Sequence, residues 1–301
     1  MKITLGQSYS FHQQGQRDYQ EDSRYPDADK PSTSQRFFVV CDGVGGSEKG
    51  EVASQTVCDA IGKTMAKVNF NVDFSSSEFS EVLDAAYDAL DRKASKRNQD
   101  MATTMTFTCF HAGGCTLAHI GDSRIYHFRK EKGIIYRSED HSLVNSMVRN
   151  GIITPDEAID SQQKHVITRY MEPVDSDQNR CTATVLQTKD IQEGDYILLC
   201  TDGVCSQIDD NEITDIILNT DLDDEKKMSV LAQMCIDSDD NNTAILIPIA
   251  HVVADNLNIE PVESIDGTKR FPYSLSTLEE IESIQRKKSS GMLDWLKQIF
   301  N

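Results

Sequence analysis

A chain of 301 residues, 38% hydrophobic and 26% charged with 16 Gly and 7 Pro, has the composition of an ordinary folded protein, not of a collagen-like, disulfide-scaffolded or wholly disordered one. Its 49 Asp and Glu outweigh 30 Lys and Arg to a net charge of −19. That field repels a phosphate backbone, so nucleic acid and anionic membranes are not expected partners, although divalent cations reversing the sign locally would still admit a small phosphorylated group. The eight cysteines form no C-x-x-C pair, which argues against zinc knuckles and thioredoxin-like motifs. Most lie in apolar runs and read as small buried hydrophobes in a reducing compartment. The N-terminus has no signal-like apolar core and no stretch approaches the ~18 apolar residues of a membrane span, so a cytoplasmic location is expected.

In chain order, the segment GQRDYQEDSR places Arg17 four and five residues before Glu21 and Asp22. The apolar run Phe37 to Cys41 reads as a strand. Two amphipathic helices follow: Val52, Val57, Ala60, Ile61, Met65 and Val68 share one face, and Phe79, Val82, Leu83, Ala86 and Leu90 another. Strands are expected at Thr103 to Phe110, Cys115 to Ile120 and Arg124 to Phe128, then at Tyr196 to Cys200 and Thr243 to Ile249. Helices are expected at Leu143 to Asn150, Asp210 to Leu218 and Glu225 to Ile236. Hairpin-like strand pairs beside long helices indicate an α+β fold of packed sheets flanked by helices.

After Ile249 the alternation stops. Residues 250–301 carry Pro261, Gly267 and Pro272, and a boundary is placed there, giving a domain of 1–249 and a C-terminal extension of 250–301. In the final segment Met292, Trp295, Leu296 and Ile299 fall at helical spacing just after Arg286, Lys287 and Lys288. This amphipathic terminal helix is too short to stand free. Docking onto its own domain or a partner protein is expected, with weak membrane-surface contact as the alternative.

Four acids share a local pattern, in which an apolar run stops at a carboxylate beside a glycine or in a turn: Asp42, Asp122, Asp202 and Asp240. One Asp-Gly pair is an ordinary turn. Four together fit hard divalent cations, which take oxygen ligands from several rigid elements and relieve the mutual repulsion of gathered carboxylates. Arg17, so near Glu21 and Asp22, is suited to grip two phosphate oxygens with its planar fork.

The ordered set Arg17-Glu21-Asp22, Asp42-Gly43-Val44-Gly45-Gly46, Ala102-Thr103-Thr104, Gly121-Asp122-Ser123-Arg124, Thr201-Asp202-Gly203 and Asp240-Asn241-Asn242-Thr243 resembles the metal-dependent protein phosphatases of the phosphatase 2C type, over about residues 5–249. The stretch from His141 to Ala158, followed by HVITR, is similar to the flap of bacterial members. The resemblance implies a central β-sandwich of two antiparallel sheets flanked by α-helices, with two Mn²⁺ or Mg²⁺ ions at one end. It implies that Asp42 bridges the metals, that the Gly43 carbonyl binds one, and that Asp202 and Asp240 bind the other. Glu21 and Asp22 would orient water, and Asp122 with Asp202 would form a weaker third metal site. Arg17 would hold phosphate, while Thr104 and Asn241 would support the ligands from behind. The implied activity is serine/threonine phosphatase, by direct attack of a metal-bridging hydroxide on the phosphoester. Phosphoproteins, and a cognate serine/threonine kinase with its substrates, are the implied partners.

The chain departs from that pattern in one respect. Val44 stands where many eukaryotic relatives carry a histidine as general acid, and Ser47 where some bacterial ones do, which leaves metal-bound water as the simplest proton source, with His165 in the flap as the other. No Cys has the C-x₅-R spacing of cysteine-dependent phosphatases. A pseudophosphatase that binds a signalling partner without hydrolysis is the main alternative, although all six acids survive. A two-metal nuclease is opposed by the charge and by the lack of a basic, aromatic-lined groove.

Overall fold

The structure, a computed structural model, describes residues 1–44, 49–94, 101–159, 161–174 and 180–253. The terminal amphipathic segment, Gly45, Gly46 and Ser47 lie outside the described residues. The elements in order are β1 (Lys2–Leu5), β2 (Tyr9–Gln13), β3 (Ser23–Tyr25), β4 (Phe37–Cys41), α1 (Gly50–Met65), α2 (Ser76–Lys93), β5 (Met105–His111), β6 (Gly114–Ile120), β7 (Arg124–Arg129), β8 (Gly133–Arg137), α3 (Leu143–Arg149), α4 (Pro155–Ile159), β9 (Thr184–Thr188), β10 (Tyr196–Cys200), α5 (Asp202–Cys205), α6 (Asp210–Ile217), α7 (Asp224–Met234) and β11 (Asn242–Val253).

Strand β4 shows why the molecule is layered. Its five residues FFVVC are all buried, and side chains alternate faces along a strand. Phe38 and Val40 enter the apolar layer shared with Ile125, Leu199 and Ile245, between the two sheets. Phe37, Val39 and Cys41 enter a second layer with Val57, Ile61 and Met65 of α1 and Phe79, Val82 and Leu90 of α2. One sheet has the order β3-β4-β5-β6-β9; the other runs β1-β11-β10-β7-β8, with β2 also on β11. Every ladder is antiparallel. On the far side, α7 lies against β2 and β11. The fold is thus the expected α+β sandwich of two antiparallel sheets with flanking helices.

The helix starts are chemically defined. Ser75 Oγ accepts from the Glu78 amide at 3.2 Å while Glu78 Oε2 accepts from the Ser75 amide at 2.7 Å, a capping box that begins α2. Asp209 and Glu212 repeat it on α6.

Several expectations shift. Strand β5 begins at Met105, because Thr103 leaves the ladder to bridge both Gly43 and Met171. Strand β11 extends four residues beyond Ile249, to Val253, and beside β10 it serves two further partners: Asn242 to Leu246 pair with β2, and Ile249 to Val253 with β1. The short strands β1, β2, β3, β8 and β9 lacked apolar runs. The segment KITL, for example, buries only Ile3 and Leu5. No helix among the described residues is long and apolar enough to cross a membrane.

Candidate metal centre

Antiparallel pairing brings the motifs to one end of the sandwich. Where β4 ends, β5 and β3 begin; where β6 and β10 end, β7 begins; and β11 begins where β2 and β10 end. Asp42 follows β4, Asp122 lies in the turn from β6 to β7, Asp202 opens α5 after β10, and Asp240 precedes β11. The charges feel one another. Burial, followed by Asp22, Asp202, Asp122 and Asp240, pushes the Asp42 carboxyl well above its ordinary range. Asp202 is raised by burial and by Asp240, while a hydrogen bond from Asp42 pulls the other way. Asp122 is pushed up to about 8, by burial first and Asp202 next.

Asp22 is the most deeply set. Its Oδ2 accepts from Thr243 Oγ1 at 2.7 Å and Thr201 Oγ1 at 3.0 Å, yet burial still raises it to about 8. With the Thr243 hydroxyl proton committed to Asp22, the His12 Nδ1 that lies 3.0 Å away must be the donor to Thr243. Glu21, half-buried, is raised mainly by burial. Its backbone is held three ways: its amide donates to Asn241 Oδ1 at 2.8 Å, and its carbonyl accepts from Ser54 Oγ at 2.6 Å and the Gly43 amide at 3.1 Å.

Asn241 ties the start of β11 to the loop between β2 and β3. Its Nδ2 donates to the carbonyls of Gln14 and Tyr19 at 2.8 and 2.9 Å, which fixes the loop that carries Arg17. Thr104 Oγ1 accepts from the Asp42 amide at 3.0 Å and contacts Ser123 Oγ at 2.7 Å, tying β4 to the Asp122 turn. Arg17 stands at the exposed rim with Nη2 2.8 Å from Asp240 Oδ2. Gly43 is packed so closely that a Cβ would lie 2.5 Å from the Gly50 carbonyl carbon, and a Cβ on Gly50 would lie 2.9 Å from Glu21 Oε1. The first turn of α1 therefore closes on the carboxylates because both positions are glycine. His165 is exposed, and its charge pulls Asp202 down.

Sequence reasoning missed several contributors. Thr201, Thr243 and Ser123 lie inside the motifs, but their contacts cross 179, 221 and 19 residues of chain. Asp140 grips Arg124 bidentately at 2.8 and 2.7 Å and adds to the repulsion on Asp122. His141 clamps Gly121, taking its amide on Nδ1 at 3.1 Å while its own amide donates to the Gly121 carbonyl at 3.0 Å. An imidazole stacked at 4.4 Å on His119 left no period or spacing to read.

The donor set suits a hard divalent cation. Asp22 Oδ1 and Asp202 Oδ1 are buried without a hydrogen-bond partner, and buried carboxylates that raise one another are relieved by a cation. Among the described residues no three His, Cys, Asp or Glu side chains form a ready-made cage, so the fit rests on charge and on these orphaned oxygens.

A family model described as protein phosphatase 2C matches residues 15–237. Protein phosphatase PhpP of Streptococcus pneumoniae is 32% identical over 186 residues, 60% of this chain and 72% of that protein. The crystal structure of the Mycobacterium tuberculosis serine/threonine phosphatase PstP superposes with a TM-score of 0.70 at 26% identity, over 83% of this chain and 100% of that one. The PstP catalytic domain in complex with two manganese ions gives 0.66 at 25% identity, again over 83% and 100%. The family match stops short of Asp240, which the fold nevertheless joins to Arg17 and Asp202. Since the match spans well over half of the sequence, the chain belongs to the protein phosphatase 2C family.

Proposed function

We propose that this metal-dependent serine/threonine protein phosphatase holds Mn²⁺ or Mg²⁺ on Asp42, the Gly43 carbonyl, Asp202 and Asp240, with a third ion on Asp122 and Asp202. The reading is carried by one observation: Asp42, partly buried, is pushed well above its ordinary range by desolvation and by four other carboxylates. Divalent ions bound there supply Lewis acidity, which neutralises phosphoryl oxygens and activates water near neutral pH.

The chain's own residues do the rest. Arg17, at the exposed rim, takes two oxygens of a phosphoserine or phosphothreonine group through its planar fork. Asn241 keeps that loop in place. Glu21 and Asp22 orient water: Glu21 is fixed through its backbone, and Asp22 is held at Oδ2 by two hydroxyls with Oδ1 left unbonded. Thr104 fixes the Asp42 backbone. His165, exposed in the flap and electrostatically felt by Asp202, is a candidate for leaving-group protonation.

Phosphoproteins, together with a cognate serine/threonine kinase and its substrates, belong to the same proposal. So does a cytoplasmic location, supported by eight free thiols. We assign residues 1–249 to the catalytic domain and 250–301 to an extension that affects localisation or partner choice more than turnover.

The test is release of phosphate from p-nitrophenyl phosphate and a phosphothreonine peptide across Mn²⁺ and Mg²⁺ titrations, for the native chain, Asp42→Ala and Asp202→Ala. Activity that needs metal and is lost in both variants is expected. A folded, metal-loaded native chain that hydrolyses neither substrate would sink the reading.

A further inference from the structure

The eight cysteines are all free, and two of them bracket a metal-site carboxylate. Cys200 ends β10, Cys205 ends α5, and Asp202 lies between. Their sulfurs are 3.6 Å apart. Cys205 is partly exposed, at the end of α5 just before the exposed Ser206 and Gln207, so a small oxidant has a route to it. Its Sγ also lies 3.6 Å from the Tyr126 hydroxyl, which is itself 3.2 Å from Arg124 Nη1. Cys205 thus sits beside polar groups at the surface instead of inside the apolar core.

We propose that Cys200 and Cys205 are an oxidation site, which hydrogen peroxide converts to an intramolecular disulfide that displaces Asp202 and stops phosphate release. Cys205 sulfur, as thiolate, attacks one peroxide oxygen. The O–O bond breaks, the departing hydroxide takes up one proton and leaves as water, and Cys205 is left as a sulfenic acid. Cys200 sulfur then attacks that sulfur, the S–O bond breaks, and the hydroxyl leaves with the Cys200 proton as a second water. Two thiols and one peroxide become one disulfide and two waters: the sulfur pair loses two electrons, and the peroxide gains them.

Physical differences single out this pair. Cys205 is partly exposed, and its sulfur lies within reach of the Cys200 sulfur. Cys41 and Cys58 also neighbour each other, but both are fully buried, which closes them to an oxidant. A disulfide needs roughly 2.05 Å between sulfurs, so closing the 3.6 Å gap moves the turn carrying Asp202 by something on the order of 1 Å. A displacement of that size at a catalytic group can cost about a hundredfold in rate. The loss of activity rests on the phosphatase reading; formation of the disulfide does not.

The full-length, Mg²⁺-loaded chain is treated with hydrogen peroxide, denatured in N-ethylmaleimide and digested with trypsin. No Lys or Arg stands between Lys189 and Lys226, so both sulfurs fall in one peptide, residues 190–226. That peptide should lose two hydrogens and take no maleimide, while the Cys58 peptide takes it normally. Turnover of p-nitrophenyl phosphate should fall about a hundredfold and return with dithiothreitol. Cys205→Ala should keep its starting activity and resist peroxide; Cys200→Ala makes the same comparison should the first variant fold poorly. A 190–226 peptide carrying two maleimides after peroxide, or a Cys205→Ala chain inactivated at the native rate, overturns the proposal. A native chain inactive before peroxide tells against the phosphatase reading instead, and the peptide mass still decides the disulfide.

Discussion

At the scale of single residues, the site is a place where stability and chemistry oppose each other. Asp42 is partly buried beside carboxylates that raise its proton affinity, so without a cation the folded chain must protonate or repel itself. Asp42→Asn removes that cost. The variant should melt higher than the native chain in chelator, by differential scanning fluorimetry, while losing phosphatase activity to background. A lower melting temperature than the native chain in chelator would show that Asp42 is not strained by its neighbours. Titration also separates residues by sign. For Asp22, raised to about 8 from 3.8, the stabilising contribution is full below pH ~4 and fades as pH rises through about 8. For His141, lowered to about 3 from 6.5 by burial first and His119 next, it is full above pH 6.5 and fades as pH falls toward 3. Because the signs oppose, the native chain must be compared with His141→Gln. Between pH 7 and pH 5 the gap in urea-unfolding free energy should narrow by about 2 kcal/mol; a constant gap would mean that the imidazole is not held neutral.

Among elements, the loop between β2 and β3 has little apolar burial of its own and depends on Asn241, from the other end of the sequence, for its shape. Three bonds meet on that amide: two donated to Gln14 and Tyr19, and one accepted from Glu21. Asn241→Ala strands those backbone groups and should cost on the order of 1–3 kcal/mol in stability. As a support behind the metal ligands it should also lower metal affinity or kcat/KM roughly 10–100-fold, measurable by titrating Mn²⁺ against p-nitrophenyl phosphate hydrolysis. Unchanged kinetics would remove it from the site. The segment from His141 to Met171 is pinned in a similar way, by the paired bonds of His141 to Gly121, by the Thr168 amide on the His141 carbonyl at 2.7 Å, and by the bridge of Met171 to Thr103. Each anchor lies next to a carboxylate turn, so the segment and the centre share their supports.

For the molecule as a whole, the last strand runs past the proposed domain boundary at 249. Lys2 to Thr4 pair with His251 to Val253, and Ile3 is buried between the sheets at 3% exposure. A chain ending at Val253 should keep its turnover of a small aryl phosphate. One ending at Ile249 loses these partners of β1 and should be less stable by about 1–3 kcal/mol, seen as a lower urea midpoint. Most activity disappearing in the 1–253 chain would contradict the role assigned to the extension. The net charge of −19 acts over the same scale: because opposite potentials steer encounter, basic phosphopeptides should be hydrolysed faster than acidic ones at low salt, and equal rates would contradict this; the gap should close as salt rises.

Read without any structure, the residues were enough to identify strands ending in carboxylates, the order of the six motifs and the family they resemble. Those features are local: an apolar run, an Asp beside a glycine, an arginine four residues before a glutamate. Strongly apolar strands such as FFVVC were legible because burial on both faces leaves no polar residue in them. KITL and TVLQT were not, because an edge strand alternates too briefly to stand out from a loop. Only the tertiary structure decided that Thr201 and Thr243 meet on Asp22, that Asn241 holds the Arg17 loop, that β1 and β2 divide β11, and that two sulfurs touch around Asp202. Such contacts depend on sheet register and on turns that bring distant segments within a few ångströms, and no local spacing encodes them.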